Sequence, residues 1–432
     1  MGGAMFRRTF VGAGFGFLAM LLAGTDCAQA TYSMVACDAK TLECGVAVQT
    51  NNLAVGASVP YAQAGVGAVA SQFETNPHHG PRGLALLAQG MSPAEVMKKI
   101  LAEDGNFDGQ GIAARQVGIV SIDGRTASYT GEEAAGAEWA GARSGAGYGI
   151  QGNGLSGPQV VEEMERAFLK SQGSLAERLM AALVAGDLAG GQRTGRESAA
   201  LLVRTPDGWP MDIDLRVDHS SDPVRELRTL FDMQRARQEV IDANAAARKG
   251  EFDRARTLLM AAVARASGWP RVWIRAARVA ESIEEPTLAL QYIHVAFTQN
   301  PAWADAEIGE GNFAQLGASA EFHHWVSAAK EKNAVAAFER LRDTGGATLE
   351  NRITVSRMLL ETGRASDALL VLKEIPPRVD ESIELRLLRS AAYAAKGDYA
   401  NAIEQCDVAL HKEPKNLRVQ YRMAQLKGKT RP

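Results

Sequence analysis

Residues 31–50 read TYSMVACDAKTLECGVAVQT. Thr31–Cys37 alternates and is rich in strand formers, Asp38–Glu43 reads as a turn, and Cys44–Thr50 supplies a second strand. The stretch therefore predicts a β-hairpin. Cys37 and Cys44 would flank its turn and can lie opposite each other across the ladder. In an oxidising compartment that geometry permits a disulfide, and two small buried thiols are the alternative. The antiparallel return would also carry Thr50 and Asn51 back beside Thr31.

Upstream of the hairpin, Met1–Ala30 has the anatomy of a secretory signal. Arg7 and Arg8 make a positive start, Phe10–Ala23 is apolar, and Ala28-Gln29-Ala30 puts small side chains at the −3 and −1 positions. The general secretory route and the twin-arginine route both fit, because Phe6-Arg7-Arg8-Thr9-Phe10-Val11 holds the arginine pair without the usual flanks. A periplasmic or secreted location is expected. Cleavage after Ala30 would make Thr31 the N-terminus, with an α-amine of pKa about 7.7–8.0. That amine can take the proton of its own hydroxyl, so nucleophile and base sit on one residue. Thr31 is the expected catalytic residue.

Downstream, Ala64–Ser71 reads as a third strand, Thr75–Gly83 as a loop and Leu84–Gln89 as helical. Ser92-Pro93-Ala94-Glu95 is an N-cap opening a helix to about Glu103. Arg115–Asp123 and Arg125–Tyr129 form a hairpin around Asp123-Gly124. Pro158–Ser171 and Leu175–Leu188 are helical, Ser198–Arg204 and Met211–Val217 are strands, and Pro223 opens a helix to about Arg237. Hairpins, then paired helices, then strands predict an antiparallel α+β domain.

The ordered segments TYSMVA, GVAVQTNNLAVGASVPYAQAGVGAVASQ, TNPHHGPRGL, RQVGIVSIDGRTASYTG, GYGIQGNGLSGPQVV, ESAALLV and DLRVDH carry a resemblance. From Thr31 to about Asp232 the chain resembles a bacterial domain-of-unknown-function family (number 1028) of the Ntn-hydrolase superfamily. The resemblance implies a four-layer αββα sandwich with an N-terminal Thr at the end of a central strand. It does not supply a substrate. The chain departs from the family pattern at Gln192, where an acidic residue is usual, at Glu197, where Gln is usual, and at Asp218-His219, where an acidic pair is common.

Attack by Thr31 on an amide-type carbonyl needs oxyanion donors and groups that hold the α-amine. Strand alternation puts Ser33 on the face of Thr31, as a neighbour for the amine. Asn51 returns with the hairpin, and the amides Asn76, Gln151 and Asn153 fall in glycine-rich segments read as loops. Arg196, Ser198, Asp214 and Arg216 flank the late strands. Gly65–Ala70 and Gly147–Gly152 mimic dinucleotide-binding fingerprints but lack the strand, helix and acidic context of one. The adjacent pairs His78-His79 and His323-His324 are poorly spaced to chelate one metal. Neither a cofactor nor a metal is expected.

The chain has 432 residues, 46% of them hydrophobic and 22% charged, with a formal net charge of −3. Two or three domains are expected, and the charge argues against a nucleic-acid partner. No apolar run reaches the roughly 18 residues of a membrane span. The expected organisation is a signal peptide over 1–30, an Ntn-hydrolase-like domain over 31–232 and all-α tetratricopeptide-like repeats over 233–432. In the last part Gly250-Glu251-Phe252-x-x-Ala255 recurs as Gly363-Arg364-Ala365-x-x-Ala368 and Gly397-Asp398-Tyr399-x-x-Ala402, and Ala289 follows Ala255 by 34 positions. The alanines would pack where helices cross, and an irregular stretch over Gly309–Gly346 would separate two repeat blocks. Such an array offers a surface for a protein or peptide, and a homo-oligomer is compatible with it. Two functions follow: an exported N-terminal-nucleophile hydrolase acting on a small amide-type substrate, or a non-enzymatic binding protein that keeps the same fold.

Overall fold

The structure, a computed structural model, describes residues 30–309, 312–343, 348–375 and 382–429. The expected signal peptide lies outside the described residues except for Ala30. The chain forms two compact units, Met1–Phe231 and Asp232–Pro432.

The first unit contains the strands β1 (Thr31–Asp38), β2 (Glu43–Thr50), β3 (Pro60–Gln63), β4 (Gly67–Phe73), β5 (Arg115–Ser121), β6 (Thr126–Thr130), β7 (Trp139–Gly145), β8 (Tyr148–Leu155), β9 (Ser198–Arg204) and β10 (Ile213–Val217). They make a six-stranded sheet, β10-β9-β2-β1-β8-β7, and a four-stranded sheet, β3-β4-β5-β6. Every pairing is antiparallel. Side chains alternate across each strand, so each sheet buries two faces. Val35, Val46 and Val48 of the larger sheet meet Ala68, Ala70 and Val120 of the smaller one. On its other face the smaller sheet packs Val69, Val117 and Ile119 under the helices α1 (His79–Ala88) and α2 (Pro93–Ala102). The short helix α3 (Glu132–Gly136) precedes β7. Tyr32, Met34, Ile150 and Leu201 of the larger sheet pack under α4 (Gln159–Lys170) and α5 (Leu175–Leu188). Ser92 and Ser174 close capping boxes with Glu95 and Glu177 at the starts of α2 and α5. Cys37 and Cys44 face each other in register and are disulfide-bonded.

Two readings of the sequence need correction here. The expected single strand Ala64–Ser71 is instead the end of a hairpin, β3 and β4, turning at Gly65 with φ 69°. The segment holding Gln151 and Asn153, read as a glycine-rich loop, is β8, hydrogen-bonded along β1 and β7. Its partner β7 was not anticipated either. Glycine weakens a strand in isolation, but here it clears space between sheets. A Cβ on Gly118 of β5 would stand 2.0 Å from the Gln151 side chain.

The helix α6 (Pro223–Arg248) continues beyond the expected Arg237. The second unit then holds α7 (Phe252–Arg265), α8 (Pro270–Ser282), α9 (Pro286–Gln299), α10 (Pro301–Gly309), α11 (Ala320–Asp343), α12 (Leu349–Glu361), α13 (Ala365–Lys373), α14 (Ile383–Ala395), α15 (Tyr399–Lys412) and α16 (Leu417–Lys429). Ala255, Ala289, Ala368 and Ala402 are all fully buried. Gly250, Gly363 and Gly397 take left-handed conformations, φ 75°, 77° and 78°, that close the helix before each recurrence. The expected irregular stretch Gly309–Gly346 is largely the 24-residue helix α11. Its first half packs Phe322 and Val326 into one core, and its second half packs Ala334, Phe338 and Leu341 into the next. One long helix shared by two cores explains why Ala289 and Ala368 stand 79 positions apart, which is not a multiple of the 34-residue repeat. Gly345-Gly346 lies outside the described residues. No helix among the described residues is long and apolar enough to cross a membrane.

Candidate active site

Register brings the first residue of β1 between two strands: Thr31 pairs with Thr50 of β2 and with Asn153 of β8. Thr31 shares its face with Val35, so its side chain points between the sheets. The Thr31 nitrogen donates to Asn153 Oδ1 at 3.2 Å. Its Oγ1 lies 3.0 Å from Thr50 Oγ1, and Thr50 Oγ1 donates to the Ala30 carbonyl at 2.9 Å. A hydroxyl has one hydrogen. Since Thr50 spends its own on Ala30, Thr31 is the donor in the pair of hydroxyls. The backbone N–H of Asn51 gives the Ala30 carbonyl a second donor at 3.3 Å. The Asn51 side chain accepts from Ala30 N at 3.0 Å and donates to Thr194 Oγ1 at 2.7 Å.

Behind Thr31 lies a buried set of neutral side chains. Asn153 Nδ2 donates to Gln116 Oε1 at 2.8 Å, which fixes the Asn153 amide with its oxygen toward Thr31. Gln72 Nε2 donates to the same Gln116 oxygen at 2.7 Å and to the Thr31 carbonyl at 3.3 Å. Gln116 Nε2 donates to the Gly152 carbonyl and to Thr130 Oγ1. Ser33 Oγ donates to Gln72 Oε1 at 2.5 Å and accepts from Gln151 Nε2 at 3.1 Å. Ser33 thus reaches the Thr31 carbonyl through Gln72 and does not touch the Thr31 nitrogen, where the expected contact is made by Asn153 instead. Gln72 and Gln116 were missed by sequence reasoning. Their signal was a polar residue at an inward position of a small or apolar strand, in Ala-Val-Ala-Ser-Gln and Arg-Gln-Val-Gly.

Thr31 opens onto a cleft of about 230 Å³. The loop after β2 lines it with Asn52, Leu53, Val55, Ser58 and Val59, and the end of β4 adds Phe73, Glu74 and Thr75. Ser198 acts on that loop from outside the cleft: its Oγ donates to the Asn52 carbonyl at 2.6 Å and accepts from Val55 N at 3.0 Å. Phe73 has φ 65°, a left-handed conformation that a bulky side chain rarely adopts.

The opposite face of the smaller sheet, apolar under α1 and α2, carries a charged cluster at one end. Arg115, 1% exposed, holds Asp104 with Nε at 3.0 Å and Nη2 at 3.3 Å. It also donates to the carbonyls of Glu74, Phe107 and Gln110. His79 Nε2 lies 2.9 Å from Asp104 Oδ2, and its Nδ1 lies 3.3 Å from Ser71 Oγ. Burial lowers the His79 pKa against the pull of Asp104. For Asp104 burial raises the pKa, but hydrogen bonds from Arg115 and Asn76 outweigh it and the net shift is downward. Asn76 belongs to this cluster, donating to the Asp104 carboxylate at 3.0 Å and to its carbonyl, and is not among the residues lining the cleft. Arg196 pairs with Asp187 and Asp222, and Asp214 with Arg204 and Arg216 on the exposed side of β10. Neither Arg196 nor Asp214 reaches Thr31, so these two expected site residues are brought elsewhere; the charged ends of late strands pair with each other across the surface.

The geometry can be set beside known proteins. The profile of a family described as "Family of unknown function (DUF1028)" matches residues 31–227. A crystal structure of a Silicibacter pomeroyi protein from that family is 31% identical, over 47% of this chain and 84% of the other, with a TM-score of 0.42. The chain belongs to this family. The crystal structure of the TPR domain of P58(IPK) also matches, at 12% identity over 62% of this chain and 78% of the other, with a TM-score of 0.19. No curated protein matches significantly. In this DUF1028 protein the family region begins at Thr31, the residue that β2 and β8 enclose.

Proposed function

We propose that the first unit is an exported N-terminal-nucleophile hydrolase with a four-layer αββα fold, switched on when residues 1–30 are removed as a secretory leader. The observation that carries this reading is the surrounding of Thr31: its hydroxyl donates to Thr50, its nitrogen faces the Asn153 oxygen, and both open onto a cleft. The groups that touch it are uncharged, so a freed α-amine would be the base. Unprotonated, it takes the Thr31 hydroxyl proton as Oγ1 attacks the carbonyl carbon of an amide. The two donors that serve the Ala30 carbonyl, Thr50 Oγ1 and Asn51 N, would then receive the oxyanion. The amine leaves with the proton, and water hydrolyses the resulting ester to return Thr31. The helical second unit would serve as the surface for a protein or peptide partner.

The test begins with the intact mass and N-terminal sequence of the exported protein, expected to start at Thr31. A panel of small amides, lactams and N-acylated amino acids is then assayed on that form. Thr31→Ala should keep the fold and lose turnover by about three or more orders of magnitude. The uncleaved chain should be inactive, because the Thr31 nitrogen is then an amide without basicity. A mature protein beginning elsewhere, or an active precursor, would overturn the reading.

A further inference from the structure

The cleft carries one charged side chain, that of Glu74, among otherwise neutral lining residues. Its backbone is clamped on both sides. The Glu74 N–H donates to the Ala114 carbonyl at 3.1 Å, and its carbonyl accepts from the buried Arg115 guanidinium at 2.9 Å. The residue before it, Phe73, is held at φ 65°. A left-handed phenylalanine is strained and persists only where its surroundings over-determine it. Here Gln72 on one side is fixed by the amide network and Glu74 on the other by Arg115. The turn therefore has a consequence for the site, since it sets a half-buried carboxylate at the cleft that also holds Thr31. That carboxylate makes no hydrogen bond or ion pair among the described residues. Acidic side chains elsewhere in this unit, Asp104, Asp187, Asp214 and Glu165, are each matched by an arginine.

We propose that Glu74 is a substrate-recognition residue and that the cleft selects small amides bearing a cationic group, such as an ammonium, beside the bond to be cleaved. This rests on the reading of Thr31 as nucleophile for its chemistry, but the charge selection can be measured without turnover. A volume of about 230 Å³ suits a substrate of amino-acid size. A hydrogen bond to a charged group in such a setting corresponds to a preference of about tenfold or more.

The experiment uses the full processed chain in two arms. In the first, ligand-observed NMR on the Thr31→Ala variant compares glycinamide with acetamide. Glycinamide is expected to bind about tenfold or more tightly, and Glu74→Gln in the same background should remove that preference. In the second, glycine 4-nitroanilide and acetyl 4-nitroanilide are compared as substrates. Glu74→Gln should lower the ratio of their kcat/KM values by about tenfold, and 1 M NaCl should compress the ratio in the unmodified protein. A preference seen in binding, with no turnover of either anilide or of any member of the amide panel, would sink the nucleophile and leave Glu74 standing. Equal binding of the two amides, or a ratio that Glu74→Gln leaves unchanged, would overturn the proposal. So would a Glu74→Gln variant that moves only the acidic limb of the pH profile, because Glu74 would then serve the α-amine and not the substrate.

Discussion

Ser71 and Gln72 are consecutive in β4, and Arg115 and Gln116 are consecutive in β5. Alternation sends them to opposite faces of one thin sheet. Gln72 and Gln116 join a buried network of amides and hydroxyls behind Thr31, while Ser71 and Arg115 join a buried cluster of charges with His79 and Asp104. Both faces satisfy polar groups away from water, by different means. The charged face gains rigidity from a multiply bonded guanidinium, at the risk of a stranded ion if one partner is lost. The neutral face gives the Thr31 nitrogen a defined acceptor, and the side chains hydrogen-bonded to Thr31 carry no charge. The contrast suggests a division of labour, with charge used to brace the sheet and kept out of contact with the residue whose protonation state would matter.

The largest effect that bears on this contrast is expected on the charged side. Arg115→Met should leave Asp104 buried without its partner and cost about 3–5 kcal/mol. For a unit of this size that lowers the first unit's thermal midpoint by roughly 6–20 °C, read by calorimetry on the full chain. Adding Asp104→Leu should recover part of the loss by removing the orphaned charge. On the neutral side Gln116→Leu should cost less, since no ion is stranded. Equal losses from Arg115→Met and Gln116→Leu would erase the distinction between the two faces.

The next effect reverses the polarity of the neutral side. Asn153→Asp places a carboxylate where the Thr31 nitrogen finds its oxygen acceptor, 3.2 Å away. A negative charge so close favours the protonated α-amine and raises its pKa by about 1–3 units. In the mechanism proposed above the unprotonated amine is the base, so the acidic limb of the kcat/KM profile should move to higher pH by the same amount. A profile that stays in place would show that the Thr31 nitrogen is not the titrating base.

The two faces were unequally legible in the sequence. Alternation in Thr31–Cys37 and Cys44–Thr50 fixed a hairpin, and the hairpin alone put Thr50 and Asn51 beside Thr31. Nothing so local announced Gln72, Gln116 or Glu74, which reach the site because β4 and β5 come from distant segments and stack on the larger sheet. Gln151 and Asn153 are legible as donors but not as strand residues; the glycines around them clear room between sheets and do not break the strand. In the second unit the Gly-x-x-x-x-Ala recurrence was legible because a left-handed residue must close each helix. It faded before Ala289, where Glu284 takes that conformation with φ 61° and no glycine marks the place.

The smallest effect tests the charged face through pH. The folded-state pKa of His79 lies below its ordinary value because burial disfavours the imidazolium. Below about pH 6.5 the unfolded chain therefore binds more protons than the folded one, and stability falls as the solution is acidified. The slope from one proton is at most about 1.4 kcal/mol per pH unit. The net depression at Asp104 acts in the same direction but lower, its contribution being whole above the ordinary carboxylate range and lost as pH falls through the folded value. His79→Gln cannot titrate, so it should flatten the midpoint between pH 7 and pH 5 while the loss below pH 4 remains. The side chains of the amide network, Gln72, Gln116 and Asn153, do not titrate, and Gln116→Leu should leave both windows where they are. If His79→Gln keeps the full slope between pH 7 and pH 5, the acid sensitivity arises elsewhere and the brace is not held by a neutral histidine.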